Sequence, residues 1–116
     1  MAFRFLRLRQ APRELVRLLD DPSPGVTSWV ALVLGEIGDP SVVPPLMTAA
    51  ADRKREAGTR CNALFSLGRM KAATATDLMT ELLEDPNPTV SANAAVALYR
   101  ITGKRTPQFP EGYNAD

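Results

Sequence analysis

The sequence predicts an all-α fold in which three similar helical hairpins stack side by side. Two observations lead to this prediction. One pattern of residues occurs three times along the 116-residue chain, and each copy holds two stretches with apolar residues at helical spacing. A single hairpin of this size cannot bury its apolar face, whereas about three neighbouring hairpins can build a shared core. The chain has the length of one such domain.

The repeat is clearest in the second helix of each copy. The segments WVALVLGEIG (29–38), NALFSLGRMK (62–71) and NAAVALYRIT (93–102) align without gaps, in steps of 33 and 31 positions. Upstream of the first segment, DPSPGV (21–26) recurs ahead of the third as DPNPTV (85–90). The middle copy has a turn longer by two residues at this place. The alignment therefore predicts equivalent helices rather than a chance similarity.

The repeat also predicts the domain organisation. Three repeats fill residues 13–104. They span about residues 13–38, 39–71 and 72–104. Residues 1–12 are basic and apolar, and we expect them to form an arm that caps the open end of the first repeat. Residues 105–116 hold two prolines and no helical period, which indicates a flexible C-terminal tail. Phe109 and Tyr113 are the residues that would fold this tail back onto the third repeat.

Each second helix is predicted to face the core with one apolar stripe. In the first copy the stripe consists of Val26, Val30, Val33, Leu34 and Ile37. The matching residues of the other copies are Thr59, Ala63, Ser66, Leu67 and Met70, then Val90, Ala94, Ala97, Leu98 and Ile101.

Two glycines in VLGEIGDP (33–40) raise the question of a phosphate-binding loop. Such a loop needs a preceding strand and a helix that opens after the glycines. Here Gly35 and Gly38 fall near the end of a predicted helix, where Gly38 fits a left-handed C-cap. Asp39 or Ser41 then caps the next helix. Both glycines are therefore expected to be architectural.

The composition excludes broad classes of enzyme. The sequence has no histidine, so it offers no imidazole base for a nucleophile and lacks the commonest metal ligand. We therefore expect no catalytic residue, no metal and no cofactor. The net charge of +1 gives no global attraction to nucleic acid or acidic lipid.

The sequence also bears on location. No apolar run approaches the roughly 20 residues of a membrane span, and the N-terminus lacks the apolar region of a secretory signal. Cys61 is the single cysteine, so no internal disulfide can form. It aligns with Ser28 and Ala92 opposite the core, which indicates an incidental surface thiol. We expect a cytoplasmic protein.

The segments LLDDPSPGV (18–26) and ALVLGEIGDPSVVPPLMTAA (31–50) resemble the HEAT-like repeats of phycobilisome lyase subunits. The resemblance covers about residues 13 to 104 and implies a short right-handed α-solenoid of three HEAT-like hairpins. The family's arginine after valine is kept only as Arg60. An Asp–Arg ladder between repeats would therefore be reduced to Asp52 and Arg60.

The resemblance implies a function as well. HEAT-like solenoids commonly bind partner proteins along their second helices, so we expect a non-catalytic adaptor or regulatory subunit, with self-association as one possibility. The predicted partner-binding residues are Trp29, Leu32, Glu36, Asn62, Phe65, Arg69, Asn93, Val96 and Arg100. Trp29 is the best anchor, because both of its repeat equivalents are asparagines. The alternative interpretation is that these positions pack sideways against the neighbouring repeat.

Two other functions stay open. The resemblance to phycobilin lyases makes binding of an open-chain tetrapyrrole an alternative, although no residue matches a lyase motif. Nucleic-acid binding through basic turns is the second. The basic clusters are Arg4, Arg7, Arg9, Arg13 and Arg17 near the N-terminus, and Arg53, Lys54, Arg55 and Arg60 around the middle turn. The 13 acidic residues spread along the chain leave no strongly basic stripe, which disfavours nucleic acid.

Overall fold

The computed structural model describes residues 10–113, and this part of the chain is all-α. Its α-helices are α1 (Arg13–Arg17), α2 (Pro24–Ile37), α3 (Val43–Ala51), α4 (Ala57–Arg69), α5 (Thr76–Leu82) and α6 (Pro88–Thr102). Short 3₁₀ turns lie at Leu18–Asp20, Pro40–Val42 and Ala73–Ala75. Consecutive helices pair as hairpins, which confirms the predicted all-α fold of three repeats. Residues 1–9 of the expected N-terminal arm, with Arg4, Arg7 and Arg9, lie outside the described part.

The second helices form one layer of the fold and the first helices form the other. In the layer of second helices, α4 packs between α2 and α6. In the layer of first helices, α3 and α5 each pack on the second helix of their own hairpin. In repeat one the 3₁₀ turn at Leu18–Asp20 makes most of this contact, because α1 is only 5 residues long. The core lies between the layers. Its largest fully buried apolar residues are Leu34, Leu46, Leu64, Leu67 and Met79.

Local sequence signals set the ends of α2 and α6. Each begins at a proline whose missing N–H costs nothing in the first turn. Ser23 and Asn87 cap these starts by accepting hydrogen bonds from backbone N–H groups of the first turn. Gly38 ends α2 with φ +73°, and its N–H donates to the carbonyl of Leu34 at 3.1 Å. The predicted left-handed C-cap at Gly38 is therefore confirmed.

Glycine is needed at position 35 for a different structural reason, which the sequence did not show. A Cβ at Gly35 would lie 2.5 Å from the Cβ of Ser66 on α4, far inside van der Waals contact. The same holds one repeat later, where a Cβ at Gly68 would lie 2.9 Å from the Cα of Ala97 on α6. The glycines thus let adjacent second helices approach each other closely, while Tyr99 takes the equivalent position on α6.

The predicted core stripe is mostly buried. In α2, Val30, Val33, Leu34 and Ile37 are buried and Val26 is partly exposed. The middle copy buries hydroxyl groups at two of these positions. Thr59 shares a hydrogen bond with Thr27, Oγ1 to Oγ1, at 2.7 Å. Ser66 donates to the carbonyl of Ala31 at 2.6 Å, so both buried hydroxyls are satisfied by repeat one.

Asp39 ties the start of the described chain to the turn between repeats one and two. Its carboxylate accepts hydrogen bonds from the backbone N–H of Ser41 at 2.9 Å and that of Ala11 at 2.8 Å. These bonds hold the pKa of Asp39 below its ordinary value. The cap predicted at Asp39 or Ser41 is thus Asp39. Within residues 10–113, every helix is too short or too polar to cross a bilayer.

Candidate partner-binding surface

Nine aligned positions on the second helices form the candidate site, which we call the strip surface. They are Trp29, Leu32 and Glu36 on α2, Asn62, Phe65 and Arg69 on α4, and Asn93, Val96 and Arg100 on α6. Positions i, i+3 and i+7 lie on one side of a helix. Because α4 packs between α2 and α6, the structure brings the three sets side by side.

The part of the strip surface on α2 holds its most exposed large apolar residue. Trp29 is 50% exposed, more than any other large apolar residue between positions 10 and 113. Leu32 and Glu36 are partly exposed. Between them Ala31 and Val33 are buried, so the core side and the open side of α2 are sharply divided. Burial of an aromatic ring by a partner is favourable, and tryptophan is enriched at binding hot spots.

The part on α4 both joins repeats and faces outward. The side-chain amide of Asn62 donates to the carbonyl of Ser28 on α2 at 2.8 Å, so this residue links repeat two to repeat one. Phe65 is partly exposed, and Arg69 is exposed. Of the three positions on α4, Phe65 and Arg69 therefore remain available to a partner.

The part on α6 is the least open. Val96 is only 7% exposed, which leaves little of its side chain for a partner. Asn93 donates to the carbonyl of Thr89 within its own helix at 2.8 Å. The guanidinium carbon of Arg100 lies 5.4 Å from the ring centroid of Phe65, in a cation–π contact between repeats three and two. Sideways contact with a neighbouring repeat therefore describes Asn62 and Arg100, and Val96 is buried, whereas the α2 positions stay exposed or partly exposed.

Arg60 and Asp85 form a buried ion pair at the opposite end of the second helices. The Arg60 guanidinium contacts both carboxylate oxygens of Asp85, at 2.7 and 3.3 Å, and its Nε donates to the carbonyl of Ala50 at 2.9 Å. The two side chains are 5% and 1% exposed. The expected ladder of Asp52 and Arg60 is corrected here, because Arg60 reaches forward to the aspartate of repeat three.

The environment of Asp85 favours its charged form. Burial alone would raise the pKa of Asp85, but hydrogen bonds from Arg60 and from the N–H of Asn87 outweigh it. The positive charges of Arg60 and Arg53 act in the same direction, so the pKa lies below its ordinary value. The ion pair is therefore intact at neutral pH and serves structure.

Arg55 makes the equivalent link between repeats one and two, and sequence reasoning missed it. Its guanidinium donates to the carbonyl of Leu19, which aligns with Ala50, and to the carboxylate of Asp20 at 3.2 Å. Its Nε lies 3.7 Å from Asp52. The two extra residues in the middle turn thus supply a guanidinium where the repeat lacks its arginine. The greater length of the middle turn is the sequence feature that could have indicated this residue.

These contacts bear on the nucleic-acid hypothesis. Arg60 is buried in its ion pair and Arg55 is bound to repeat one. Arg53 lies 3.8 Å from Asp85, and Lys54 is exposed on the turn. Most of the basic cluster around the middle turn is thus matched by acceptors within the chain, and the observation disfavours phosphate binding there.

Cys61 is partly buried against the core, so its predicted place on the surface opposite the core is wrong. Burial raises the pKa of the Cys61 thiol; the charge of Arg60 opposes this shift and that of Asp85 adds to it. A thiol with a raised pKa stays protonated at neutral pH and is a poor nucleophile. The interpretation of Cys61 as chemically incidental is consistent with this environment.

An aromatic cluster covers the outer end of α6. The ring of Phe109 lies edge-on to Tyr99 at 5.2 Å and to Tyr113 at 5.9 Å between centroids. The guanidinium of Arg105 lies over both Tyr99 and Phe109, at 5.2 and 4.6 Å. Phe109 therefore contacts repeat three at Tyr99, the residue that replaces glycine there, and Tyr113 contacts Phe109.

Two clefts of the described chain are lined by residues outside the strip surface. One of about 320 Å³ lies among α1, α3 and Arg55, and another of about 280 Å³ lies between the Asp21–Pro24 turn and the middle turn. Within residues 10–113, no three side chains of the metal-binding types lie close enough together to hold a metal ion.

A sequence comparison identifies the repeat. A family model described as HEAT repeats matches residues 2–57 and again residues 49–109. The two matches together span nearly the whole chain. No curated protein matches the sequence. The finer resemblance to phycobilisome lyase subunits, and with it the tetrapyrrole alternative, stays a prediction.

Proposed function

Because the chain belongs to the HEAT repeat family, we propose that it is a non-catalytic protein-interaction module whose strip surface binds a partner protein. HEAT repeats generally act as scaffolds for protein interactions. The observation that carries the proposal for this chain is the half-exposed ring of Trp29. It stands beside partly exposed Leu32 and Phe65, in a family that uses its helical faces for binding.

The arrangement fits a hot spot better than a folding role. The core side of α2 is filled by Val30 and Leu34, and Trp29 lies outside the buried core cluster. A rigid aromatic anchor with apolar neighbours and a polar rim is the usual composition of a binding site. Glu36 and Arg69 supply that rim.

Site-specific photo-crosslinking in the native cell tests the proposal. A photoreactive phenylalanine analogue at position 29 is expected to capture one discrete partner, or a second copy of the chain if the module self-associates. The matched control carries the analogue at Thr80, which is exposed on α5. The same products from both positions, or none from position 29, would contradict the proposal.

Truncation of the anchor is the complementary prediction. Trp29→Ala is expected to weaken partner binding by about 2 kcal/mol or more, as for other hot-spot tryptophans. Because half of the ring is exposed, thermal unfolding and helical circular dichroism should change little. A loss of folding would instead mean that Trp29 belongs to the core.

A further inference from the structure

We propose that the strip surface selects an acidic segment of its partner, which places apolar side chains on α2 and α4 and carboxylates toward α4 and α6. This inference rests on the proposed function and adds the chemistry of the partner to it. It follows from how charge is distributed along the second helices.

Two basic residues of the strip surface, Arg69 and Arg100, stand near the C-terminal ends of α4 and α6, and three more follow these ends in the sequence. We call this set, which follows the C-terminal ends of α4 and α6, the basic edge. It consists of Arg69, Lys71, Arg100, Lys104 and Arg105. The ion pairs among residues 10–113 involve only Arg53, Arg55 and Arg60, so none of them includes a residue of the basic edge. By contrast, Arg60 and Arg55 at the other end are matched within the fold.

Two members of the basic edge are held in place. Arg100 lies against the ring of Phe65, so its cation is positioned beside the apolar part of the strip surface. Lys71 donates to the carbonyl of Arg100 at 3.0 Å and has a φ of +53°, a conformation that glycine favours. The equivalent residue in repeat one is Gly38. A cation held in position loses less conformational entropy when a carboxylate binds.

Phe65 connects the apolar part of the strip surface to these cations, because the guanidinium of Arg100 lies over its ring. Trp29, Leu32 and Phe65 are exposed or partly exposed, and Arg69 follows Phe65 by one helical turn on the same side of α4. A peptide across the helices would meet apolar surface first and positive charge beside it. The complementary ligand carries aromatic or aliphatic anchors with Asp or Glu nearby.

The same groups favour a peptide over a nucleic acid. Glu36 is the only charged member of the strip surface on α2, and its carboxylate lies beside the apolar residues. A peptide can place a neutral or basic residue at that point. A phosphate backbone carries one negative charge per nucleotide and would be repelled there.

A peptide selection tests the inference. The probe is a phage-displayed library of random peptides, panned against the full chain. The enriched sequences are expected to combine Asp or Glu with Trp, Phe or Leu. Their binding should shift the emission of Trp29, the single tryptophan, to shorter wavelength. Enriched peptides without excess acidic residues would overturn the inference.

Charge reversal supplies the matched comparison. Arg69→Glu should weaken the best acidic peptide by about tenfold, whereas Lys54→Glu, the same charge change on the distant middle turn, should leave its affinity within about twofold. Equal losses in both variants would mean a general effect of net charge and would overturn the proposed site. Circular dichroism of both variants checks that each remains folded.

Two further outcomes separate this inference from the function it rests on. Peptides that bind Trp29→Ala as tightly as the parent chain, or a selection that enriches nothing, would contradict the strip surface as a binding site. A labelled single-stranded oligonucleotide that binds more tightly than the peptides, and loses affinity in Arg69→Glu, would overturn the acidic peptide in favour of nucleic acid.

Discussion

The two junctions between repeats have nearly the same geometry and different chemistry. At the α2–α4 junction the buried polar contacts are neutral: Thr27 meets Thr59, and Ser66 meets a carbonyl. At the α4–α6 junction the buried contact is the ion pair of Arg60 with Asp85. A glycine on the earlier helix allows close approach in both. The comparison shows that both junctions keep a close helix spacing, whereas the side chains that make the buried hydrogen bonds differ between them.

The two junctions also differ in which segment supplies the guanidinium group. Arg60 reaches its acceptors from within repeat two, whereas Arg55 reaches the equivalent carbonyl of repeat one from the following turn. The first is 5% exposed as a side chain and the second 20% exposed. A partly solvated ion pair contributes less than a fully buried one costs to break. We therefore expect the junctions to respond unequally to the same substitution.

Loss of the guanidinium has the largest expected effect. Arg60→Ala should lower the free energy of unfolding by about 3 kcal/mol or more, because Asp85 is left buried without its partner. Arg55→Ala should cost only about 1 kcal/mol, since Asp20 is 85% exposed and can be solvated. Urea denaturation of both variants measures the difference. Equal losses of unfolding free energy in the two variants would contradict the expected difference between the two junctions.

Filling the close approach comes next. Gly68→Ala should cost about 2 kcal/mol, since its new Cβ would meet the Cα of Ala97 at 2.9 Å and α6 must move. Gly58→Ala in the same helix is the control. Nothing lies within 4 Å of its Cβ, so stability should stay unchanged or rise by less than about 1 kcal/mol. Tolerance of alanine at position 68 would show that the helices are farther apart than described.

The neutral contact gives the smallest expected effect. Thr27→Val should cost about 1 kcal/mol, because it leaves the Thr59 hydroxyl buried without its partner. The double variant Thr27→Val/Thr59→Val should recover most of this loss, since both polar groups are then removed together. A double variant whose loss of unfolding free energy equals the sum of the two single losses would mean that the two hydroxyls do not pair.

The fold was predictable from sequence because one local pattern recurs in every repeat. Core positions such as Leu34 and the cap at Gly38 depend on spacing within a helix, which a single sequence contains. The partner of Arg60 was not predictable, because its acceptor lies 25 residues away and is set by packing. The close approach at Gly35 was missed for the same reason: it depends on the neighbouring helix.

The candidate site was predictable only in part. The alignment of Trp29 with two asparagines singled out the most exposed large apolar residue between positions 10 and 113. It did not separate open positions from those that join helices, so Val96 and Asn62 stood in the same set. Burial of Val96 and the bond from Asn62 depend on the lateral placement of helices, which spacing along one helix does not contain.

Acrylamide quenching of Trp29 fluorescence tests the central claim most directly, because the chain has a single tryptophan. In the free chain the emission should be that of a solvent-exposed indole and strongly quenched. In complex with the crosslinked partner or a selected peptide, it should shift to shorter wavelength and become protected. An indole already protected in the free chain, or equally quenched in the complex, would contradict an open binding face on the second helices.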